Sequence, residues 1–329
     1  MQAKKEDNKS KRVVFVTGAS GGLGTELVKA LLAEGDEVRC LIHTKETLVH
    51  MPVGIIPFVG NLNDERVLVE ACDGADTVFH LAAIVREARV RTDELMHVNL
   101  EGTKNLLAAC KRSKVRHIIF TSTIDVYGRK RKDMIKESSK LTPTDKYGYS
   151  KMLAEREVIS SGVPYTILRI STIYGPAFRK SFFKVFKALR ANSMIVIGSG
   201  QNHLALVSSD DVVEAMVLAE NNKASLDKVY NLSDGVTYTQ EFLMQLAAKS
   251  LDAPKPTRYV NELLVRMLAR QRNLESDELR FLTSNRMIDI SAIKAGIGFA
   301  PKVTVEKGVK ELAMMFLEKC KERKAGLLK

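Results

Sequence analysis

Val13-Val14-Phe15-Val16-Thr17-Gly18-Ala19-Ser20-Gly21-Gly22-Leu23-Gly24 runs from four consecutive apolar residues into a glycine-rich turn. The apolar run suits a parallel strand buried on both faces. Leu23, Leu27, Ala30 and Leu31 then keep helical spacing until Gly35, so the glycines join a strand to a helix. In that setting Gly18 permits a tight turn, Gly21 lets backbone approach a pyrophosphate, and Gly24 allows the helix to pack closely on the strand. The spacing differs from GxGxxG, and the position after a first strand is what gives the turn its meaning. Ser20, Gly22 and Leu23 complete the expected dinucleotide-binding turn.

Outward from this turn the alternation of short apolar runs and helical patterns continues. Strands are expected over 37–42, 55–59, 77–80 and 117–121, with helices over 64–71 and 94–110. Five strands separated by helices predict an α/β fold, a Rossmann-type doubly wound parallel sheet. After a loop over 127–145, a helix near 147–161 and a strand over 165–170 complete an expected six-strand core. The remainder is less regular. A short apolar segment at 195–197, helices near 212–220 and 239–248, a basic helical stretch over 261–272 and a terminal helix over 305–321 predict a smaller mixed lobe over the sheet's carboxyl edge. The expected organisation is a disordered basic tail over 1–12, a dinucleotide-binding domain over 13–170, and a substrate-binding lobe over 171–329. Residues of about 204–220 return to the first domain.

With 329 residues and 45% apolar content, the chain is long enough to bury a substantial core. It has no run of 18 apolar residues, and its start is polar and lysine-rich, which predicts a soluble cytoplasmic protein without a membrane partner. The net charge of +12 is concentrated in Lys4, Lys5, Lys9, Lys11 and Arg12, in 129–132, and in Lys319, Lys321, Arg323 and Lys324. Such runs are ordinarily solvated, and with no Trp and no nucleic-acid motif, nucleic-acid recognition is not expected. Cys40, Cys72, Cys110 and Cys320 lack any CxxC spacing, so neither zinc nor a disulfide framework is implied. No metal is expected.

The second informative stretch is Tyr147-Gly148-Tyr149-Ser150-Lys151. Residues four apart share a helix face, so Tyr147 and Lys151 can act on one ligand, whereas Tyr149 points elsewhere. A free phenol near pKa 10 is a poor base at neutral pH, but an adjacent ammonium favours the phenolate. Tyr147 can then exchange a proton with a substrate hydroxyl, and Lys151 can also reach the nicotinamide ribose. The pair opens the helix after the fifth strand, and Phe120-Thr121-Ser122-Thr123 ends that strand at the edge where open α/β sheets bind ligands. At the end of the second strand stands Leu41-Ile42-His43-Thr44-Lys45, with no carboxylate for a ribose diol. Arg39, His43 and Lys45 are available instead for a 2′-phosphate. NADP is accordingly favoured over NAD.

The chain resembles the extended branch of the short-chain dehydrogenase/reductase superfamily, the NAD-dependent epimerase/dehydratase family. The landmarks are the glycine turn, Phe79-His80-Leu81-Ala82-Ala83, the 99–107 segment that begins Asn99-Leu100-Glu101-Gly102, Thr121 to Gly128, Tyr147 to Lys151, Leu168 to Pro176, and Val207-Ser208-Ser209-Asp210-Asp211-Val212-Val213. The resemblance implies Tyr147 as acid/base and Lys151 as its tuner. It implies the Thr123 hydroxyl as the group that polarises the reacting oxygen, with Ser122 as the other candidate. It further implies a nicotinamide cofactor, NAD(P)(H), lined by Leu81, Ala82, Ala83, Asn99, Thr121, Ser122, Ile170 and Ile173. Homodimers built on the helices over 94–110 and 147–161 are also implied. For His80 and Asn99 a satisfied buried polar group is the competing reading.

Several positions depart from the family pattern. Gly60-Asn61-Leu62 stands where many relatives carry Gly-Asp-Leu at the adenine, so Asn61 and Leu62 would make a neutral contact. Ile124 and Asp125 stand where sugar dehydratases carry Asp and Glu, and isoleucine cannot protonate a leaving hydroxyl. The 198–203 segment, Gly198 through His203, replaces an expected diphosphate-binding Arg. Val85, Thr172, His203 and Arg179, the last beside Lys180 and Lys184, are the candidate substrate contacts. The expected activity is an NAD(P)-dependent oxidoreductase or epimerase acting on a secondary alcohol of a nucleotide-activated sugar. An NADPH-dependent carbonyl reductase or hydroxysteroid-dehydrogenase-like enzyme is the first alternative. A non-catalytic dinucleotide sensor is the second.

Overall fold

The structure, a computed structural model, describes residues 11–85, 90–271 and 277–324. Its centre is a parallel sheet of β1 (Val13–Thr17), β2 (Glu37–Ile42), β3 (Ile56–Val59), β4 (Thr77–His80), β5 (His117–Thr123), β6 (Tyr165–Ile170) and β7 (Lys228–Leu232). The spatial order is β7-β6-β5-β4-β1-β2-β3. The chain winds outward from β1 through β2 to β3, then crosses back to β4, so the strand order reverses between β1 and β4. At such a point the two neighbouring loops diverge and leave a crevice above the carboxyl ends. Gly18, Leu81 and Thr123 all lie at that edge.

The strands are apolar on both faces because helices cover both. In β1, Val14 and Val16 pack into one cluster with Leu27, Val28 and Leu31 of α1 (Gly22–Ala33). Phe15, between them, points into the opposite cluster with Leu68 of α2 (Glu65–Cys72), Leu106 and Cys110 of α3 (Gly102–Arg112), and Ala154 and Val158 of α4 (Lys146–Ser160). Side chains alternate across a strand, so a continuous apolar run serves two layers at once. Each such buried side chain contributes about 1.5–3 kcal/mol. A third cluster forms the smaller lobe, where Phe186, Leu189, Leu312 and Phe316 meet Ala247 and Ala248.

The sheet has seven strands, not the six expected. β7 runs parallel to β6 from Lys228 opposite Thr166 to Leu232 opposite Ile170. It lies in a stretch without strand–helix alternation, and its buried Asn231 breaks the apolar run that would have marked it. The stretch expected as a loop over 127–145 contains a strand, Lys130–Ile135, paired with Asn285–Ile288. Four charged residues hide it from a hydropathy reading, because its pairing partner comes from far along the chain. The helix expected over 94–110 starts at Thr92 and passes through a π turn, His97–Glu101, before α3.

Leu206–Ser208 pairs with Thr172–Tyr174, and Val212, Ala215 and Met216 of the helix Ser209–Asn221 join the cluster that contains α1. Residues 1–10 of the expected tail lie outside the described residues, and Arg12 is tied down, its Nε 2.9 Å from Asp36 Oδ1. The basic stretch is the helix Glu262–Gln271, and Arg272 lies outside the described residues. Among the described residues no helix is long and apolar enough to cross a membrane, and no cluster of metal-binding side chains is found.

Candidate active site

Each glycine of the β1–α1 turn has a separate steric reason. Gly18 has φ +72°, and a Cβ there would lie 2.6 Å from the amide nitrogen of Ala82. Only glycine lets this turn touch the segment that leaves β4. A Cβ on Gly24 would lie 2.8 Å from Cα of Ala19, and one on Gly22 would lie 2.7 Å from Cβ of Ala177 in the smaller lobe. Gly21 is extended and open, its nearest neighbour being the Gly18 carbonyl at 3.3 Å. It begins α1 without a side-chain cap, and the first helical turn carries no acidic residue. The positive end of α1 and its unbonded amides therefore face the crevice, which is the chemistry a pyrophosphate requires.

Ser20 is exposed at the turn and Leu23 is half-buried behind it. His43 and Lys45 stand exposed after β2. Arg39 does not join them: its Nε bonds Glu37 at 3.1 Å and its Nη1 the Ala71 carbonyl at 3.2 Å, at the opposite end of the strand. Leu62 is buried against Gly102, where a Cβ would come within 2.8 Å of it, while Asn61 is exposed and accepts a bond from the Asn63 amide at 2.8 Å. Leu81, Ala82 and Ala83 are half-buried along the β4 exit, and Ile170 and Ile173 lie at the β6 exit.

Two landmark residues turn inward and brace this edge. Buried His80 bonds Thr17 Oγ1 through Nδ1 at 2.8 Å and Thr103 Oγ1 through Nε2 at 2.9 Å. The Thr103 hydroxyl donates to the Asn99 carbonyl at 2.7 Å, so His80 Nε2 carries the proton and Nδ1 accepts. Burial, helped by the Lys151 ammonium, pulls His80 down to about 3, so it stays neutral. Asn99 Oδ1 accepts from the Ile84 amide at 2.7 Å, and its Nδ2 donates to the Ile84 carbonyl and to Ser150 Oγ, each at 3.0 Å. It fastens the β4 exit to α4.

The helix that contains Tyr147 and Lys151 lands on the end of β5. Asp145 caps α4, accepting from the Gly148 amide at 2.8 Å. A Cβ on Gly148 would lie 2.7 Å from the Asp125 carbonyl oxygen, so the first turn of α4 seats directly on the turn that follows Thr123. Lys151 is 2% exposed, with Nζ 4.0 Å from the centroid of the Phe120 ring. Burial pulls its ammonium down to about 7, against the opposing effect of Glu155. Tyr147, one turn earlier, is half-buried, whereas Tyr149 is exposed. Thr123 is buried and caps its own turn, accepting from the Asp125 amide at 3.2 Å. Thr121 Oγ1 donates to the His80 carbonyl at 3.1 Å. Ser122 points to the other side of the strand and donates to Glu155, which is itself bonded to Arg169 at 2.7 Å.

On the lobe side, Val85 is 50% exposed beside the fastened Ile84, and Thr172 is half-buried in its short strand. Arg179 is exposed and folds back onto the Pro176 carbonyl at 2.7 Å. His203 is half-buried, with Nδ1 3.1 Å from Asn285 Oδ1. Sequence reading missed the buried ion pair between Arg286 Nη1 and Asp125 Oδ1, at 2.7 Å. Its partners are 161 residues apart, and nothing around Arg286 distinguishes it from other basic residues.

A doubly wound sheet with a glycine turn at its switch point, and with the Tyr147–Lys151 helix seated on the end of β5, is the architecture of a dinucleotide-dependent enzyme. The model of the NAD dependent epimerase/dehydratase family matches residues 14–233, and the chain belongs to that family. It is an enzyme of the extended short-chain dehydrogenase/reductase type, with a nicotinamide dinucleotide as its cofactor. The chain is 27% identical over 326 residues to a UDP-glucose 4-epimerase of Vibrio cholerae, covering 95% of this chain and 98% of the relative. It is also 27% identical over 318 residues to the 4-hydroxy-2-methyl-3-oxo-4-farnesyl-3,4-dihydroquinoline-1-oxide ketoreductase of Stigmatella aurantiaca, covering 91% and 95%. The structure of UDP-glucuronic acid 4-epimerase from Bacillus cereus, in complex with UDP-glucuronic acid and NAD, shares the fold with a TM-score of 0.76. That match has 22% identity and covers 93% of this chain and 99% of the other.

Proposed function

We propose that this enzyme is a 4-epimerase acting on a nucleotide-activated sugar. The observation that carries the reading is the seating of α4 against the Asp125 carbonyl, which brings the first turn of the Tyr147–Lys151 helix to the end of β5 at Thr123. A nicotinamide dinucleotide, held by the β1 glycine turn and the β4 exit, would supply the acceptance and return of a hydride at the sugar carbon. Tyr147 takes the proton of the sugar hydroxyl and gives it back. Lys151, in its ammonium form, stabilises the phenolate from a buried position. The Thr123 hydroxyl holds the reacting oxygen in place. Dehydration is unsupported: Ile124 has no proton to give, and Asp125 is engaged by Arg286 at 2.7 Å.

NADP is the favoured cofactor form, on the exposed His43 and Lys45 and the lack of a carboxylate at 41–45. The proposed assembly is a homodimer through α3 and α4. Purified enzyme with UDP-glucose and a trace of NAD or NADP should yield UDP-galactose, followed by the anomeric proton signals, without net formation of reduced cofactor. Absence of interconversion, together with stoichiometric consumption of NADPH on a hydrophobic ketone, would replace this reading with a ketoreductase. The equal identity to a ketoreductase and the missing diphosphate Arg support that second reading.

A further inference from the structure

The Thr123 hydroxyl is not left to find its own direction. Its oxygen accepts from the Asp125 amide at 3.2 Å and donates to the Asp125 carboxylate, Oδ2, at 3.3 Å. The other carboxylate oxygen, Oδ1, receives Arg286 Nη1 at 2.7 Å. All three side chains are buried. Burial pulls the Arg286 guanidinium down to about 10, against the opposing effect of Asp145, so it remains cationic at neutral pH.

Arg286 reaches this position from a distant part of the chain, 161 residues beyond Asp125. It lies on Asn285–Ile288, the strand paired with Lys130–Ile135. The same segment is held from behind by Asn202, whose Nδ2 donates to the Leu282 and Ser284 carbonyls at 2.8 and 2.7 Å. His203 bonds Asn285 through both its backbone amide and its ring. The 198–203 segment thus holds the backbone and the Asn285 side chain next to Arg286, whose guanidinium meets Asp125 and, through it, Thr123.

We propose that the Asp125–Arg286 ion pair is a positioning device that fixes the rotamer and proton direction of Thr123, and that the distant strand Asn285–Ile288 supplies half of it. The long, weak bond to Asp125 parks the Thr123 proton while an alcohol is bound. Once the substrate oxygen becomes a carbonyl, the Thr123 O–H turns to donate a hydrogen bond to it, and the proton stays on Thr123. Arg286 keeps Asp125 charged and aligned for both states. A carboxylate locked in this way is a hydrogen-bond acceptor, not a general base. The inference rests on the proposed role of Thr123 but not on the identity of the sugar.

Two readouts decide it. Crystals of the cofactor-bound wild type should show a single Thr123 rotamer, and those of Asp125→Ala a different or divided one. An unchanged single rotamer in Asp125→Ala overturns the proposal. In UDP-galactose epimerisation, Asp125→Ala and Arg286→Met should each lower kcat about 10–100-fold, with KM and cofactor occupancy within about twofold. Arg286→Lys should recover part of that loss. Adding Asp125→Ala to Thr123→Ala should cost nothing more, because Asp125 acts through Thr123. An equal loss in both backgrounds overturns the proposal. Should Asp125→Ala fail to fold, Arg286→Lys and Arg286→Met carry the same rotamer comparison. If UDP-galactose is inert, the sugar reading fails and the Thr123 rotamers alone decide the inference.

Discussion

The Gly148 Cα faces the carbonyl oxygen of Asp125 so closely that a Cβ would sit 2.7 Å away. Backbone meets backbone there, and no flexible side chain can yield. The helix with Tyr147 and Lys151 can approach Thr123 only while position 148 has no side chain.

Gly148→Ala should therefore push the start of α4 outward. The expected result is a loss of about 1–3 kcal/mol in unfolding free energy and a fall of about 100-fold in kcat. Cofactor affinity should fall less than kcat, because the clash at position 148 is with Asp125 and not with the glycine turn of β1. Chemical denaturation and steady-state kinetics on one preparation check this, and wild-type kcat in a folded variant would refute the contact.

Lys151 places activity and stability in opposition. Its folded pKa of about 7 lies below the usual lysine value of 10.5, so the folded protein binds fewer protons than the unfolded chain between these limits. Stability rises with pH through that window, and the full cost of the buried ammonium is felt below about pH 7. Lys151→Met should abolish turnover yet raise the thermal midpoint at pH 6, with the gain fading towards pH 10. A lower midpoint at pH 6 would show that the ammonium stabilises the fold.

Glu220 behaves as a second buried charge, far from the chemistry. Burial raises its carboxyl to about 7, against the Arg12 guanidinium 3.7 Å away. A raised acid pKa means the folded state holds the proton more tightly, so this contribution is fully present below about pH 4.5 and lost as pH climbs to about 7. Glu220→Gln should stabilise the protein by about 1–2 kcal/mol at pH 8 and leave it unchanged near pH 4. Matching denaturation curves at pH 8 would contradict the assignment.

His43 and Lys45 are exposed at the end of β2 and can meet a 2′-phosphate without displacing an existing partner. Replacing both by Ala should weaken NADPH about tenfold or more, in proportion to the lost charge-assisted bonds, and leave NADH nearly unchanged. Fluorescence titration with both cofactors tests the preference. Equal losses for the two would assign NAD.

The β1 run, the glycine turn and the Tyr147–Lys151 spacing were legible because each is local: a few consecutive residues contain the whole physical reason. Leu27 and Leu31 declare a helix, and Val14, Phe15 and Val16 declare a strand buried on both faces, without reference to anything distant. Lys130–Ile135 and Lys228–Leu232 were not legible as sheet. Their pairing enthalpy comes from partners elsewhere in the chain, and their own charged or polar residues mask the pattern. His80 and Asn99 could be recognised as landmarks, but only their bonds to Thr17, Thr103, Ile84 and Ser150 show them to be braces.

The chain's order of residues determined by itself the doubly wound sheet, the dinucleotide turn and the tyrosine–lysine pair, since periodicity and short spacing act along the backbone. Tertiary structure decided which hydroxyl of Ser122 and Thr123 is free of the Glu155–Arg169 pair, and that Arg286 closes on Asp125. Burial and charge pairing depend on which distant segments share a dry interior, and no local pattern encodes that.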